Sequence, residues 1–479
     1  MTLRNSLLYV NGEWIAAENG ATLDVVNPAT GKIFGRVARA GAFEVSKAVA
    51  AAKAAFPSWS KLDAAERARY LASIADELEA RRADLIDLQS LNSGKPLFEA
   101  EIDLNDAVAT YRYYAGHALT LGARQGESVD LGDGFVGRTR FEPLGVAALI
   151  VPWNFPLVTS GWKSAAALAA GCTVVLKASE FTPFAELILG EIADKIGLPK
   201  GVLNILVGEA DCGQALVENP HVRKVSFTGS NAVGEDVMRR AALRAVPVTL
   251  ELGGKSPILV FADADPADAA RWVLEGIFYN CGQVCSATSR LLVEADFADT
   301  LRRHLQEAVS AISIGSPLDP QTTMGPLTTA RQFEKVKAFL AIARDEGLKA
   351  IAGGKQLEGT DGYFIEPTIY WDVPSESRLW REEVFGPILC VQTFRAEDEA
   401  IAKANDTPYG LAATIVSKDP ERVRRVSEQL QAGHIWINSS PIVFPQSAWG
   451  GFKQSGIGRE LGPWGLFSYL GVKHMTEML

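Results

Sequence analysis

The feature that most constrains this chain is a series of short, wholly apolar segments separated by helix-like stretches. The apolar runs occupy residues 145–151, 173–177, 202–207, 223–227 and 246–251. Between them lie helical patterns over Trp162 to Ala170, Phe184 to Ile196 and Asn231 to Ala242. A strand that is apolar at every position has to be covered on both faces. Strands of that kind, alternating with helices, predict a parallel sheet with helices on both sides. This is the α/β pattern of a Rossmann-like nucleotide-binding domain. A second alternation from Pro257 to about His434 predicts another α/β domain.

Smaller elements surround these two units. Asn11-Gly12 sits between the apolar runs Leu7 to Val10 and Glu13 to Ile15, which predicts a tight hairpin. Two helices are expected next, one over Ala42 to Phe56 and one opening at Asp63. Glu66, three residues after Asp63, completes a capping-box pattern, and Leu71, Ile74 and Leu78 give that helix a buried face. Asn92-Ser93-Gly94, followed by Pro96, is expected to close the helical region. Gly132 to Gly137 matches G-x-G-x-x-G, but a dinucleotide fingerprint must follow a strand and open a helix. Here Asp133-Gly134 lies between alternating segments, so a hairpin projecting over 124–140 is expected instead.

Charge and cysteine usage narrow the function classes. A formal net charge of −10 disfavours a general nucleic-acid binder, since no basic field attracts phosphates. The longest apolar stretches, such as Leu144 to Trp153, are too short to span a membrane. Cys172, Cys212, Cys281, Cys285 and Cys390 are too sparse for a disulfide framework, which suits a reducing compartment. Met1 to Val10 lacks the apolar core of a signal peptide. Together these features lead to the expectation of a cytoplasmic protein.

Several short segments carry candidate chemistry. In Asn280 to Ser286, Cys285 is a candidate nucleophile if its niche favours the thiolate; otherwise it and Cys281 simply pack. No histidines accompany this pair, and no metal site is assigned. Glu251, at the end of a predicted strand beside Gly253 and Gly254, is either a general base or a solvated strand-end carboxylate. Asn154, between Pro152 and Pro156, is either an oxyanion donor or a turn residue. Gly229 and Ser230 lie where a strand passes into a helix, a place that can hold phosphate. Lys177 and Glu180 flank another strand end, where a carboxylate can take ribose hydroxyls and repel a 2′-phosphate.

Taken in order, these motifs resemble the aldehyde dehydrogenase superfamily over nearly the whole chain. The likeness rests on Val26 to Gly31, Pro152 to Pro156, Lys177 to Glu180, Phe227 to Ser230, Glu251 to Lys255, Gly282 to Cys285 and Glu382 to Pro387. The resemblance implies Cys285 as nucleophile, with Asn154 and the Cys285 N–H as oxyanion donors. Glu251 would activate the water that hydrolyses a thioester. Glu383 and Phe385 would hold the nicotinamide half of the cofactor and Leu252 its carboxamide, with Trp153, Gly229 and Ser230 also cofactor-binding. Lys177 and Glu180 would clamp the adenine ribose, favouring NAD over NADP. It also implies an NAD-binding domain (1–123 and 143–251), a catalytic domain (252–434) and an oligomerisation arm (124–142 and 466–479). Residues 435–465 would return to the NAD-binding domain and line the substrate tunnel. A homodimer or homotetramer is expected.

Within the superfamily, Cys285 to Arg290 and Trp449 to Gly462 are most similar to betaine-aldehyde and aminoaldehyde dehydrogenases. That branch lines its tunnel with aromatic rings, and Phe155, Trp162, Tyr279 and Trp449 fall at matching places. Ring faces attract ammonium groups, so a cationic aldehyde suits such a box. Lys163 and Glu460 match the branch's proton-relay positions. His434 and the segment Pro441 to Phe444 depart from the branch pattern, which leaves neutral aldehydes open. A coenzyme A-acylating enzyme is disfavoured by Glu251, and a catalytically silent structural protein by the intact Cys285, Glu251 and Asn154.

Overall fold

The computed structural model describes residues 4–123, 125–439 and 441–479. Met1 to Leu3, Arg124 at the start of the expected arm, and Ser440 within the 435–465 segment lie outside the described residues. The five apolar runs form parallel strands at Val146–Ile150, Thr173–Ala178, Leu203–Val207, Val222–Thr228 and Val248–Glu251. Helices Pro156–Ala170, Phe184–Lys195, Ala210–Glu218 and Asn231–Ala242 connect them. From Val146–Ile150 the chain adds Thr173–Ala178 and Leu203–Val207 on one side. It then crosses back to lay Val222–Thr228 on the other. That reversal opens a crevice beyond the carboxyl ends of the strands, the usual ligand position in such sheets.

Two antiparallel additions finish this sheet. The expected hairpin, Leu8–Val10 with Glu13–Ile15, joins one edge, with Asn11 and Gly12 both left-handed at φ 57 and 68. On the other edge Gly456–Ile457 pairs with Leu250 and Glu251, bringing a late segment of the chain beside an early strand. The second sheet has the order Ala350–Ala352, Thr368–Tyr370, Ile388–Phe394, Arg290–Glu294, Pro257–Val260, Ala412–Val416 and His434–Ile437. It is parallel except for its first edge strand. The fold is therefore α/β, with a Rossmann-like unit and a second α/β sheet.

The segment 132–137 is a hairpin, as expected, with Asp133 and Gly134 at φ 50 and 78. Ser128–Gly132 and Phe135–Pro143 are joined by the C-terminal strand Leu470–Met478, which pairs along the whole length of Phe135–Pro143. This small sheet exposes Val129, Leu131, Val472 and Met478.

Three local expectations need correction. The first helix runs Ala42–Trp59, past Phe56 and through Pro57, because Trp59 is buried and anchors a further turn. The second, Ala64–Ala80, follows Asp63, but the Asp63 side chain makes no cap hydrogen bond. Its charge faces the guanidinium of Arg67 instead. Gly94, left-handed at φ 88, ends the helix Arg82–Ser93, but the helical region continues. A 27-residue helix, Leu97–Ala123, packs on Ala64–Ala80 and Pro156–Ala170. Its inward face carries Glu99 and Asp103, so it lacks a clean apolar stripe.

Candidate active site

Four loops meet at the carboxyl ends of the first sheet. Ile150 leads into Pro152 to Pro156, and Pro156 starts the helix Pro156–Ala170 with a ring that needs no N–H partner. Lys177, next to last in the neighbouring strand, is buried, and its Nζ donates to Glu180 Oε2 at 3.3 Å. Gly229 and Ser230 turn Val222–Thr228 into the helix Asn231–Ala242, whose start has no side-chain cap. Its first N–H groups and positive dipole end thus face the crevice without a competing side-chain acceptor. Leu252 packs under this helix, where a Cβ added to Gly234 would lie 2.4 Å from Leu252 Cδ2.

The second sheet supplies the opposing wall. Trp153 meets Phe385 edge-on, with ring centroids 5.5 Å apart. Phe385 is left-handed at φ 60, and Gln332 Nε2 holds the turn by donating to the carbonyls of Val384 and Phe385. Glu383 Oε1 accepts the Gly254 N–H at 2.9 Å, and burial raises its pKa. A carboxylate and lysine at one strand end, an uncapped helix start and the facing rings of Trp153 and Phe385 fit NAD. When bound, NAD supplies the hydride acceptor.

Cys285 is partly exposed, whereas Cys172, Cys212, Cys281 and Cys390 are buried. It follows Tyr279–Gly282, in which Asn280 and Cys281 are both left-handed at φ 49 and 54. Gly282 is required here, because a Cβ would come 2.1 Å from Gly386 O. Asn154 Nδ2 donates to Gln283 O at 2.9 Å, two residues before the thiol. Asn280 Nδ2 donates to both Asn154 O and Gln283 O, so one buried network fixes the Asn154 amide and the thiol loop together.

The niche does not of itself favour the thiolate. Burial first, then the charges of Glu251 and Glu383, push the Cys285 thiol up to about 12. Burial and the charge of Glu460 likewise raise Glu251 well above the carboxylate range, against Lys163 and Arg459. Neither oxygen of Glu251 has a hydrogen-bond partner among the described residues. Burial and the neighbouring carboxylates thus disfavour the charged forms of both Cys285 and Glu251. Near Glu251, whose charge it influences, Glu460 accepts at Oε1 from buried Lys163 Nζ and from Ser226 Oγ. The Gly456–Ile457 pairing places Glu460 there, reinforced by the paired backbones of Trp449 and Glu460.

The four expected tunnel rings form two pairs. Phe155 stacks on Tyr279 with centroids 6.2 Å apart, and Trp162 meets Trp449 edge-on at 5.6 Å. Each pair is tied to a carboxyl that sequence reading missed. Tyr279 OH donates to Asp103 Oδ1 at 3.3 Å, and Trp162 Nε1 to Asp106 Oδ1 at 2.6 Å. Asp103 also binds buried Lys95, whose Nζ lies 3.7 Å from the Phe155 ring centroid. Trp436 was missed too; it and His434 extend the Trp449 cluster, with centroids 6.2 and 5.5 Å from Trp449. Burial lowers the His434 pKa, which keeps that ring neutral. The available signal was the spacing of Glu99, Asp103, Asp106 and Thr110, which places polar groups on one helical face.

The sheet crevice and its lining define a nicotinamide-dependent dehydrogenase. The chain belongs to the aldehyde dehydrogenase family, whose sequence model matches residues 14–475. It is 45% identical over 480 residues to the peroxisomal aminoaldehyde dehydrogenase 2 of Pisum sativum, covering 98% of this chain and 95% of that protein. Identity to the chloroplastic betaine aldehyde dehydrogenase of Beta vulgaris is 43% over 485 residues, covering 100% of this chain and 97% of the beet protein. The NAD+ complex of a Bacillus cereus aldehyde dehydrogenase superposes with a TM-score of 0.97 at 38% identity, over 99% of this chain and 97% of that one. The protein is an NAD-dependent oxidoreductase acting on aldehydes.

These relatives overturn the expectation of a cytoplasmic protein, since the pea enzyme is peroxisomal and the beet enzyme chloroplastic. Sparse, unpaired cysteines do not distinguish cytosol from organelles that import proteins from it.

Proposed function

We propose that the protein oxidises a cationic aldehyde, an ω-aminoaldehyde or betaine aldehyde, to the corresponding acid. The observation that carries this reading is the pair Asp103 and Asp106, each hydrogen-bonded to a ring of the aromatic cluster. Aromatic faces with carboxylates behind them favour an ammonium over a neutral group. The pea and beet relatives, named for aminoaldehyde and betaine aldehyde, support the same class.

The roles follow from placement. Cys285 gives its proton to solvent water and attacks the aldehyde carbon, while the Asn154 amide and the Cys285 N–H hold the developing oxyanion. Departure of hydride from that carbon, to the acceptor that bound NAD would supply, leaves a thioester on Cys285. Glu251 takes a proton from water as the water attacks the thioester, releasing the acid and the thiol. Glu460 and Lys163 carry the proton away from Glu251. Lys177 and Glu180 hold the adenine ribose, Gly229 and Ser230 the phosphates, and Trp153, Leu252, Glu383 and Phe385 the nicotinamide half. The first sheet then serves as the NAD-binding domain (1–123 and 143–251) and the second as the catalytic domain (252–434). The sheet of 124–142 and 466–479 joins copies into a homodimer or homotetramer through its exposed apolar edge.

One observation favours neutral aldehydes instead: the Lys95 ammonium already stands over a face of Phe155. NADH formation from betaine aldehyde, 3-aminopropanal, 4-aminobutanal, benzaldehyde and simple aliphatic aldehydes separates the readings. A kcat/KM about tenfold or more in favour of the cationic members is expected, equivalent to ~1.4 kcal/mol. Preference for the neutral members rejects the proposed substrate class.

A further inference from the structure

Glu99 stands in the first turn of the helix Leu97–Ala123 and is 1% exposed. It lies 181 residues before Asn280, yet both of its oxygens accept the Asn280 N–H, at 3.0 and 3.1 Å. Asn280 and Cys281 are consecutive left-handed residues without being glycine, at φ 49 and 54. Such conformations are sparsely populated and persist only where the surroundings over-determine them.

The surroundings here converge on Asn280. Its carbonyl accepts from Gln283 N and Gln283 Nε2, at 3.0 and 2.9 Å. Its amide donates to Asn154 O and Gln283 O, while Gln283 Oε1 accepts from Thr328 N at 2.9 Å. Glu99 holds the remaining backbone group, the N–H. A side chain present only to fill space would be apolar, since burying a carboxyl is unfavourable unless its hydrogen bond matters.

We infer that Glu99 is a positioning residue of the thiol loop: by accepting the Asn280 N–H it holds the left-handed turn that sets Cys285 and the Asn154 amide. The inference rests on the proposed reading of Asn154 as an oxyanion donor. Glu99 itself touches no reacting atom. It acts through Asn280, whose side chain reaches Asn154 and whose turn leads into Cys285.

The test compares E99M, which keeps volume but removes the acceptor, with E99Q, whose amide oxygen still accepts from Asn280. E99L replaces E99M if the latter does not fold. E99M is expected to lower kcat about ten- to hundredfold and to slow alkylation of Cys285 by iodoacetamide, with the NAD Kd unchanged. E99Q is expected to recover most of both. In an N154A background E99M should cost less than its full factor, because part of its effect runs through the Asn154 amide. The inference is overturned if E99Q is as impaired as E99M, if E99M alters neither kcat nor alkylation, or if its full factor reappears in N154A. An N154A enzyme with undiminished kcat would reject the oxyanion reading alone. Alkylation of E99M would then decide, slowed if Glu99 sets the loop and unchanged if it does not.

Discussion

Replacing Asp106 by asparagine keeps the shape of the side chain and an acceptor for Trp162 Nε1, now at 2.6 Å, but removes a negative charge. Asp103 is buried and paired with Lys95, whereas Asp106 keeps part of its surface open. Burial pushes its pKa up to about 7, with the charge of Asp103 adding and the hydrogen bonds from Trp162 and Thr110 opposing. An ammonium brought to ~5 Å at an effective dielectric of ~20 gains about 3 kcal/mol. Partial protonation at neutral pH and salt screening reduce this to about 1.5–2.5 kcal/mol, or roughly ten- to seventyfold in KM. D106N should therefore raise KM for betaine aldehyde by about that factor and leave a neutral aldehyde within about threefold. The sign with pH follows from linkage. The cation prefers ionised Asp106, so its binding lowers that pKa and releases a proton. For the parent enzyme, kcat/KM for betaine aldehyde should fall as pH drops through about 7, and D106N should lack that limb. Betaine aldehyde is the probe of choice because its quaternary nitrogen does not titrate. Initial rates of NADH formation across this range are the assay. Equal losses on cationic and neutral substrates, or a pH limb that survives in D106N, would refute the electrostatic reasoning.

Other predictions test the remaining parts of the site. E251Q should release about one NADH per active site and then stall, with steady-state turnover down about a hundredfold or more, since deacylation lacks its base. Quench-flow detects this, and a full steady-state rate would remove Glu251 from that role. K163M strands the Glu460 carboxyl without its ammonium, and should destabilise the fold by about 3–5 kcal/mol in urea titration. Recovery of most of that loss in K163M/E460L is the expected control, and no loss in K163M would mean the pair contributes little. E180T removes the carboxylate beside Lys177 and should raise kcat/KM for NADP about tenfold relative to NAD. An unchanged ratio would show that Glu180 does not set cofactor choice. Truncation before Leu470 removes a nine-residue strand and bares the edge of Phe135–Pro143. Light scattering should then report a smaller assembly, and an unchanged mass would reject the arm as the interface.

Much of the fold was legible because its central strands have no exposed face. Residues 173–177 and 202–207 became Thr173–Ala178 and Leu203–Val207, and the helix Asn231–Ala242 has the bounds expected of it. Turn chemistry was equally direct, with Asn11-Gly12 and Asp133-Gly134 adopting the left-handed pairs their residue types favour. The Asp63 box did not form, because the Asp63 carboxylate faces Arg67, four residues on in the same helix, instead of the first-turn N–H groups. The candidate site was partly legible. Trp153, Asn154, Lys177, Glu180, Gly229, Ser230, Glu251 and Leu252 follow strand ends that the apolar pattern locates. Lys95, Glu99, Asp103, Asp106 and Trp436 carried no such mark.

The missed helix and the missed residues have one physical cause. On Leu97–Ala123, Glu99, Asp103 and Asp106 take places where a packed helix would present apolar side chains. A pattern search reads that face as solvent-exposed and loses the helix. Burying those carboxyls is unfavourable, as the upward shifts of Glu99 to about 8 and Asp106 to about 7 record. Lys95 offsets only part of that burden. Their partners explain why they are there: Glu99 meets the turn before Cys285, and Asp106 meets Trp162 in the aromatic cluster. Seven residues, about two helical turns, separate the two. One helix face thus runs from the reacting end of the proposed substrate to its cationic end. Changing it to apolar residues would restore the missing amphipathic pattern and stabilise the helix, while removing the support of the thiol loop and the counter-charge for the ammonium together.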